Sequence, residues 1–169
     1  MPEKLEGANS ISIPFDTMLD PDTGVDDIAY SANTLANYFR MFFSDGMDLN
    51  LQNNADISIS SGMSINIQPY AVFINGRRVN KYSTTSLTFD IGNSLPRIDS
   101  VIIQLNIPLR IANIMIKKGE PSATPTPSEM DYDFNGICEL RLYDVKIDAM
   151  SAALVSQNII DNRINMKAK

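Results

Sequence analysis

The chain has 169 residues, a length suited to one domain, and sets 14 Lys+Arg against 20 Asp+Glu for a formal net charge of −6. It contains no His, no Trp and a single Cys. Those counts exclude an imidazole general base, a Ser-His or Cys-His nucleophile, a histidine-ligated zinc, an intrachain disulfide and a thiolate cluster. The acidic balance also lacks the basic footprint of a nucleic-acid binder.

The first residues, Met1-Pro2-Glu3-Lys4-Leu5-Glu6, carry no apolar core segment, so no signal peptide is expected. No apolar run approaches the 18 residues that a membrane span needs, and no membrane partner is expected. Residues 1–27 are broken by Pro2, Pro14, Pro21, Gly7 and Gly24. They read as an extended N-terminal arm with one short strand near Ser10 to Ile13. The carboxylate-rich run from Leu19 to Asp27 has the density of a calcium loop. Its twelfth position, counted from Asp20, is Ser31 rather than a bidentate Glu, so a solvated turn is expected.

One helix follows, over residues 31–43. Leu35, Tyr38, Phe39, Phe42 and Phe43 recur at three- and four-residue spacing and form a broad apolar face. Ser31 or Asn33 can cap its start and Gly46 its end. The stripe reads as the face by which a lone helix packs on a sheet, with partner binding as the alternative.

From Asp56 onward the pattern is that of strands. Ile57, Ile59, Met63, Ile65 and Ile67 alternate with polar residues. A three-residue turn at Ser60-Ser61-Gly62, with Gly62 left-handed, would pair Ile59 with Met63 and Ile57 with Ile65. In the next hairpin Asn75-Gly76 is the favoured two-residue turn, because both central residues need positive φ. It sets Val72 opposite Val79 and Phe73 opposite Arg78.

Further strands are expected over 86–91, 100–106 and 111–118. The run 120–128, with Pro121, Pro125 and Pro127, reads as a surface connector crossing between sheets. Residues 137–147 form the longest strand candidate, and a parity change near Tyr143-Asp144 suggests a bulge or bend. Cys138 within it reads as a small buried hydrophobe. Residues 152–165 should return Val155, Ile159 and Ile160 to the body. The expected fold is mainly β: an antiparallel β-sandwich of about 7–8 strands with one N-terminal amphipathic helix. A single domain over 28–165 would follow the arm, and 166–169 would form a short tail.

No spaced glycine cluster cradles phosphate, and no Gly-x-Ser-x-Gly elbow occurs. No acid/base pair is singled out, so no catalytic residue, cofactor or metal is assigned and an enzyme is not expected. Two charged pairs do stand out beside apolar residues: Arg97 with Asp99, and Asp161 with Arg163. They read as Arg–carboxylate networks closing strand ends, with ligand or partner contact as the alternative.

Several segments, in order, resemble a module of tail and baseplate proteins of siphophages that infect Gram-positive bacteria. They are Asn37-Tyr38-Phe39 with Gly46, Ser61-Gly62-Met63, Ala71 to Gly76 with its Ile-Asn-Gly turn, Arg97-Ile98-Asp99-Ser100-Val101, Lys117-Lys118-Gly119-Glu120-Pro121, Glu139-Leu140-Arg141-Leu142 with Val145, and Ile160-Asp161-Asn162-Arg163. They span residues 31–163, about four-fifths of the chain. The module is similar to the β-sandwich shoulder that anchors a receptor-binding or baseplate protein to the tail. This sequence ends soon after Arg163, with no sugar-binding head, stalk or heptad repeat, so the resemblance implies anchoring or assembly rather than receptor recognition.

The implied partners are other phage tail or baseplate proteins, with a homo-oligomer, dimer or trimer, as an accompanying expectation. The implied location is the virion tail tip after synthesis in the host cytoplasm. The alternative is a carbohydrate-binding module contacting the host cell wall through Tyr70, Tyr82 and Tyr132, weakened by the absence of Trp. An intracellular regulator of phage genes is disfavoured by the acidic charge.

Overall fold

The computed structural model describes residues 31–48 and 54–169. The expected arm, its short strand and the carboxylate-rich run before Ser31 lie outside the described residues. Within them the chain is mainly β, with ten strands in three antiparallel sheets and one α-helix.

Helix α1 spans Ala32–Phe42. The Ser31 hydroxyl accepts from the Thr34 N–H at 3.0 Å, a cap that contributes about 1 kcal/mol. The helix stops because Phe43 is already extended; Gly46 then opens strand β1, Gly46–Met47, rather than ending the helix. The hairpin of β4, Tyr70–Ile74, and β5, Arg77–Lys81, completes the first sheet, in the order β1-β4-β5. Val72 faces Val79 and Phe73 faces Arg78, as the Asn-Gly spacing requires. Asn75 at φ +49° and Gly76 at φ +73° supply the left-handed pair that the turn needs.

The second sheet is β2, Ile57–Ser61, with β3, Ser64–Ile67, and β6, Thr85–Thr88. Its register differs from expectation by two residues: Ile59 pairs with Ile65 and Ile57 with Ile67. Ser61 opposes Ser64 across a two-residue turn, and the register shifts between Ile59 and Ser61. A two-residue displacement preserves side-chain parity, so the apolar faces still agree, and Met63 enters the core instead of facing Ile59. Strand β6 ends at Thr88, short of Ile91, because the Asp90 and Ile91 carbonyls turn away to accept from the Arg97 guanidinium at 2.7 and 3.1 Å.

The largest sheet has the order β10-β9-β7-β8, built from β7, Arg97–Asn106, β8, Ile111–Lys117, β9, Ile137–Ile147, and β10, Ile159–Asp161. The β7–β9 register shifts where Val101 faces Tyr143 and Ile102 faces Arg141, which makes Leu142 the extra residue. That bulge lies one residue before the expected site and lets Leu140 and Leu142, then Val145 and Ile147, all reach the core. Strands β8 and β9 flank β7 in one sheet. The proline-rich connector therefore runs back along that sheet rather than crossing to another.

One apolar cluster draws on all three sheets: Ile65 and Ile67, Val72 and Ile74, and Val101, Ile103, Leu142 and Val145 among others. The closing segment contributes less than expected. Ile159 packs against the core, but Val155 and Ile160 are exposed and Leu154 is the residue buried instead. Beyond β10 the chain stays pinned. Met47 donates to the Ile164 carbonyl at 2.7 Å, and Ser44 to that of Lys167 at 2.9 Å.

Gly76 and Gly62 share left-handed backbone but differ in surroundings. A Cβ on Gly76 would lie 1.9 Å from the Ala36 carbonyl oxygen, whereas one on Gly62 meets nothing nearer than 3.7 Å. Urea unfolding should show Gly62→Ala costing about 1 kcal/mol, the backbone penalty alone, and Gly76→Ala costing at least about 2 kcal/mol. Equal losses would remove the close approach of helix and hairpin.

Candidate functional site

The side chains of helix α1 fall on two opposed stripes. Ala36 is the buried residue of the helix and Arg40 is half-buried one turn on, while Asn33 and Asn37 are exposed. Ala36 sits over Gly76, Asn33 accepts from Arg77, and Arg40 donates to the Asn75 side-chain oxygen at 2.8 Å. The Arg40 guanidinium also lies 4.3 Å from the centre of the Phe134 ring. Leu35, Tyr38, Phe39 and Phe42 form the other stripe. Leu35, Phe39 and Phe42 remain 40–45% exposed, and neighbouring Met41 is 69% exposed. The expectation that the apolar stripe packs on a sheet holds in part: Phe43 meets the Phe73 ring edge-on at 5.8 Å and Phe39 borders a cleft with Val72 and Phe73, while Leu35, Met41 and Phe42 stay exposed. Gly76 approaches the helix backbone too closely for a bulky side chain on that face.

Asn75 holds this arrangement from beneath. It is buried, and its backbone N–H donates to the Asp45 carboxylate at 2.9 Å. Its side-chain amide donates to the Phe134 carbonyl at 3.1 Å and to Cys138 Sγ at 3.2 Å. Cys138 in turn donates to the Asp133 carbonyl at 3.1 Å. The cysteine is buried as expected, but it acts as a hydrogen-bonding bridge as well as a hydrophobe. Burial raises its pKa, and the Asp45 charge adds to the effect.

The two charged pairs sit elsewhere. Arg97 and Asp99 are almost fully buried, with Nε 3.0 Å from the carboxylate. Asp99 also accepts from the Gly119 N–H at 2.9 Å. The pair therefore joins the β6–β7 loop to the exit of β8, and its polar groups are engaged by protein. Arg163 binds Asp161 at 2.6 Å and Asp56 at 2.6 Å, donates to the Asn54 carbonyl, and lies 5.0 Å from the Tyr143 ring centre. Its hydrogen bonds hold the Asp161 carboxyl below the ordinary carboxylate range.

A polar row on the outer face of the largest sheet escaped the sequence reading. Ser100 donates to Asp144 at 2.6 Å, and Arg141 lies 3.3 Å from the same carboxylate. Arg141 also donates to the Ser128 carbonyl, which fastens the proline-rich connector to the sheet. Nearby, Glu139 accepts from Lys117 at 2.6 Å, Gln104 at 3.0 Å and the Asp131 N–H at 2.9 Å. Cross-strand neighbours 104 and 139 would have disclosed this row once the β7–β9 register was known.

The tyrosines suggested for sugar stacking do not form one platform. Tyr70 is buried, Tyr132 is half-exposed with its hydroxyl bonded to Asp45, and Tyr82 is exposed. Burial and the Asp45 carboxylate both push the Tyr132 pKa upward. Among the described residues no group of three His, Cys, Asp or Glu side chains is placed to hold a metal.

Burial opposes ionisation of Glu139, but the hydrogen bonds from Lys117, Asp131 and Gln104 outweigh it and lower its pKa. A lowered folded-state pKa stabilises the fold above the unfolded value of about 4.3 and is lost as pH falls through the folded value. Wild type should exceed Glu139→Gln in unfolding free energy at pH 6, and the gap should narrow by pH 3. A gap independent of pH would contradict this assignment. For the buried pair, Arg97→Met should cost about 3 kcal/mol in urea unfolding, because it strands the Asp99 carboxylate and two carbonyls.

Comparison with known proteins yields no matching family model, no matching curated protein and no matching solved structure.

Proposed function

We propose that this chain is a structural adaptor of a bacteriophage tail tip or baseplate, anchoring or assembling the host-adsorption apparatus through protein–protein contacts. The observation that carries the reading is the outward apolar stripe of α1. A helix that rests on its own body through Ala36, Arg40 and Phe43 and leaves Met41 exposed, with Leu35 and Phe42 partly so, offers an assembly surface. The segments that carry the family resemblance support it. They fall on α1, the β2–β3 turn, the β4–β5 tip, the start of β7, the exit of β8, the centre of β9 and the β10 end.

In this reading the fold is a β-sandwich, with the four-stranded sheet as one layer and the two three-stranded sheets as the other. The protein works without catalysis or cofactor, as a dimer or trimer on the virion. A carbohydrate-binding role draws less support, because Tyr70 is buried and the Tyr132 hydroxyl is already engaged.

Antibody decoration of purified virions should label the tail tip, and a particle without label would sink the proposal. A Leu35→Glu/Phe42→Glu variant should unfold within about 0.5 kcal/mol of wild type, since both side chains are substantially exposed. It should nonetheless fail to enter particles when it replaces the wild-type chain. Normal incorporation would remove the α1 stripe from the assembly interface. Retention on purified cell walls above a control protein would favour the carbohydrate alternative.

A further inference from the structure

Strand β5 is an edge of its sheet, with β4 as its strand neighbour among the described residues. The register decides which of its backbone groups are left over. Arg77 faces Ile74 across the two-residue turn, so the hydrogen-bonded pairs of the ladder fall at Arg77, Val79 and Lys81. The N–H and C=O groups of Arg78 and Asn80 therefore point away from β4. Among the described residues they have no hydrogen-bond partner.

That open edge runs along a groove of about 880 Å³, because residues 77–80 line it in succession. The facing wall is the end of β7, the β7–β8 turn and the start of β8, itself an edge strand. Part of the lining is apolar: Val79, Leu105 and Ile107 belong to the core or pack against it.

The rest of the lining is cationic. Arg77 donates to the Asn33 side-chain oxygen and, at 2.9 Å, to the Asn75 carbonyl, and makes no ion pair among the described residues. Arg110 is exposed on a left-handed backbone at φ +57° and has no hydrogen-bond or ion-pair partner among the described residues. Arg78 is the exception, paired with Asp48 at 2.7 Å. The amino end of α1, which also lines the groove, adds positive potential.

We propose that this groove takes an extended acidic segment of a partner protein, added to β5 as a further strand. Charge complementarity selects the acidic character, because the Arg77 and Arg110 guanidiniums bring positive charge to one groove without carboxylates of the described body to balance it. The open edge selects a peptide over other polyanions. A peptide backbone carries both the C=O and the N–H groups that answer those of Arg78 and Asn80. Successive side chains of a strand point to opposite faces, so one short segment can present two chemistries. Its carboxylates meet Arg77 and Arg110, and its aliphatic side chains cover Val79 and Ile107. The groove is distinct from the α1 stripe, and the inference does not rest on the tail-tip proposal, since it is read on the isolated chain.

Fluorescence anisotropy on the full-length protein, with a labelled octapeptide of alternating Val and Asp as the probe, tests it. The probe should bind about tenfold or more tightly than its Val-Lys counterpart, with affinity falling as salt rises. N-methylation of every peptide amide should abolish binding, because the methylated backbone cannot donate to the edge. Arg77→Gln/Arg110→Gln should weaken binding about tenfold or more, and Arg77→Lys/Arg110→Lys should retain most of it. If the double glutamine variant loosens the fold, Arg110→Gln alone carries the test, since that exposed side chain bonds nothing in the described body, and it should still weaken binding severalfold. Saturating peptide should slow hydrogen exchange at the Arg78 and Asn80 amides and leave β7 unchanged. Absence of binding at millimolar peptide overturns the proposal. Equal binding of the methylated peptide, or displacement by inorganic polyphosphate as effective as by unlabelled peptide, reduces the groove to a general anion site and overturns the added strand. Affinity indifferent to all the arginine substitutions places the peptide elsewhere and overturns the assignment of the groove.

Discussion

Asn75 commits every polar atom it has to a different part of the chain. Its side-chain oxygen receives Arg40 from the helix, and its amide reaches Phe134 and Cys138 at the head of β9. Its N–H holds Asp45 beyond the helix, and its carbonyl holds Arg77 at the start of β5. These contacts are possible because the residue sits at φ +49° at the tip of a two-residue hairpin, with Gly76 next to it. The tip therefore fixes the helix, the first sheet and the largest sheet relative to one another. A buried amide with any of those partners missing would cost more than an apolar residue in its place, so the network is satisfied as a whole. The same tip decides which helix face is inward, because the backbone of Ala36 rests directly on Gly76.

That dependence explains what could be read from the sequence. Alternation in 57–67, in 71–80 and in 137–147 is a local signal of period two, and it located the strands because each buries one face against a shared core. Local signals do not contain the partner. The β2–β3 pairing moved by two residues because either register keeps apolar residues opposite one another, and the burial of Met63 goes with the observed one. The bulge in β9 was visible as a parity change between Leu142 and Val145. The early end of β6 was not, because its cause is the Arg97 side chain several residues later. The helix face was only partly legible for a similar reason. Periodicity shows that an apolar stripe exists; a glycine some forty residues downstream decides whether the body can receive it.

The charged residues follow a related division. In the body several are consumed by structure: Arg97–Asp99 joins loops to the start of β7, Arg163 ties β10 to the entrance of β2, and Glu139 with Lys117 binds the connector at Asp131. Such pairs add little stability when they replace well-packed apolar groups, yet breaking one is costly because its partner is left buried. They thus specify where loops attach more than how strongly the domain folds. The proline-rich connector, with few backbone donors to offer, depends on this kind of side-chain fastening.

Helix α1 presents the opposite situation, and the comparison bears on function. Burying a Leu or Phe side chain completely contributes roughly 1.5–3 kcal/mol. Rotating α1 to turn the rest of its aromatic stripe inward is opposed by the hairpin tip, because the helix lies so close to Gly76 that the facing position accepts only a residue as small as Ala36. Withdrawing the helix to make room would break the Arg40–Asn75 and Arg77–Asn33 contacts and open the hairpin tip. Part of the apolar stripe therefore stays exposed, and the unrealised gain from Leu35, Met41 and Phe42 remains available to whatever surface meets them. A surface that covered them would recover it, which is why the proposed assembly role rests on the helix rather than on a cleft.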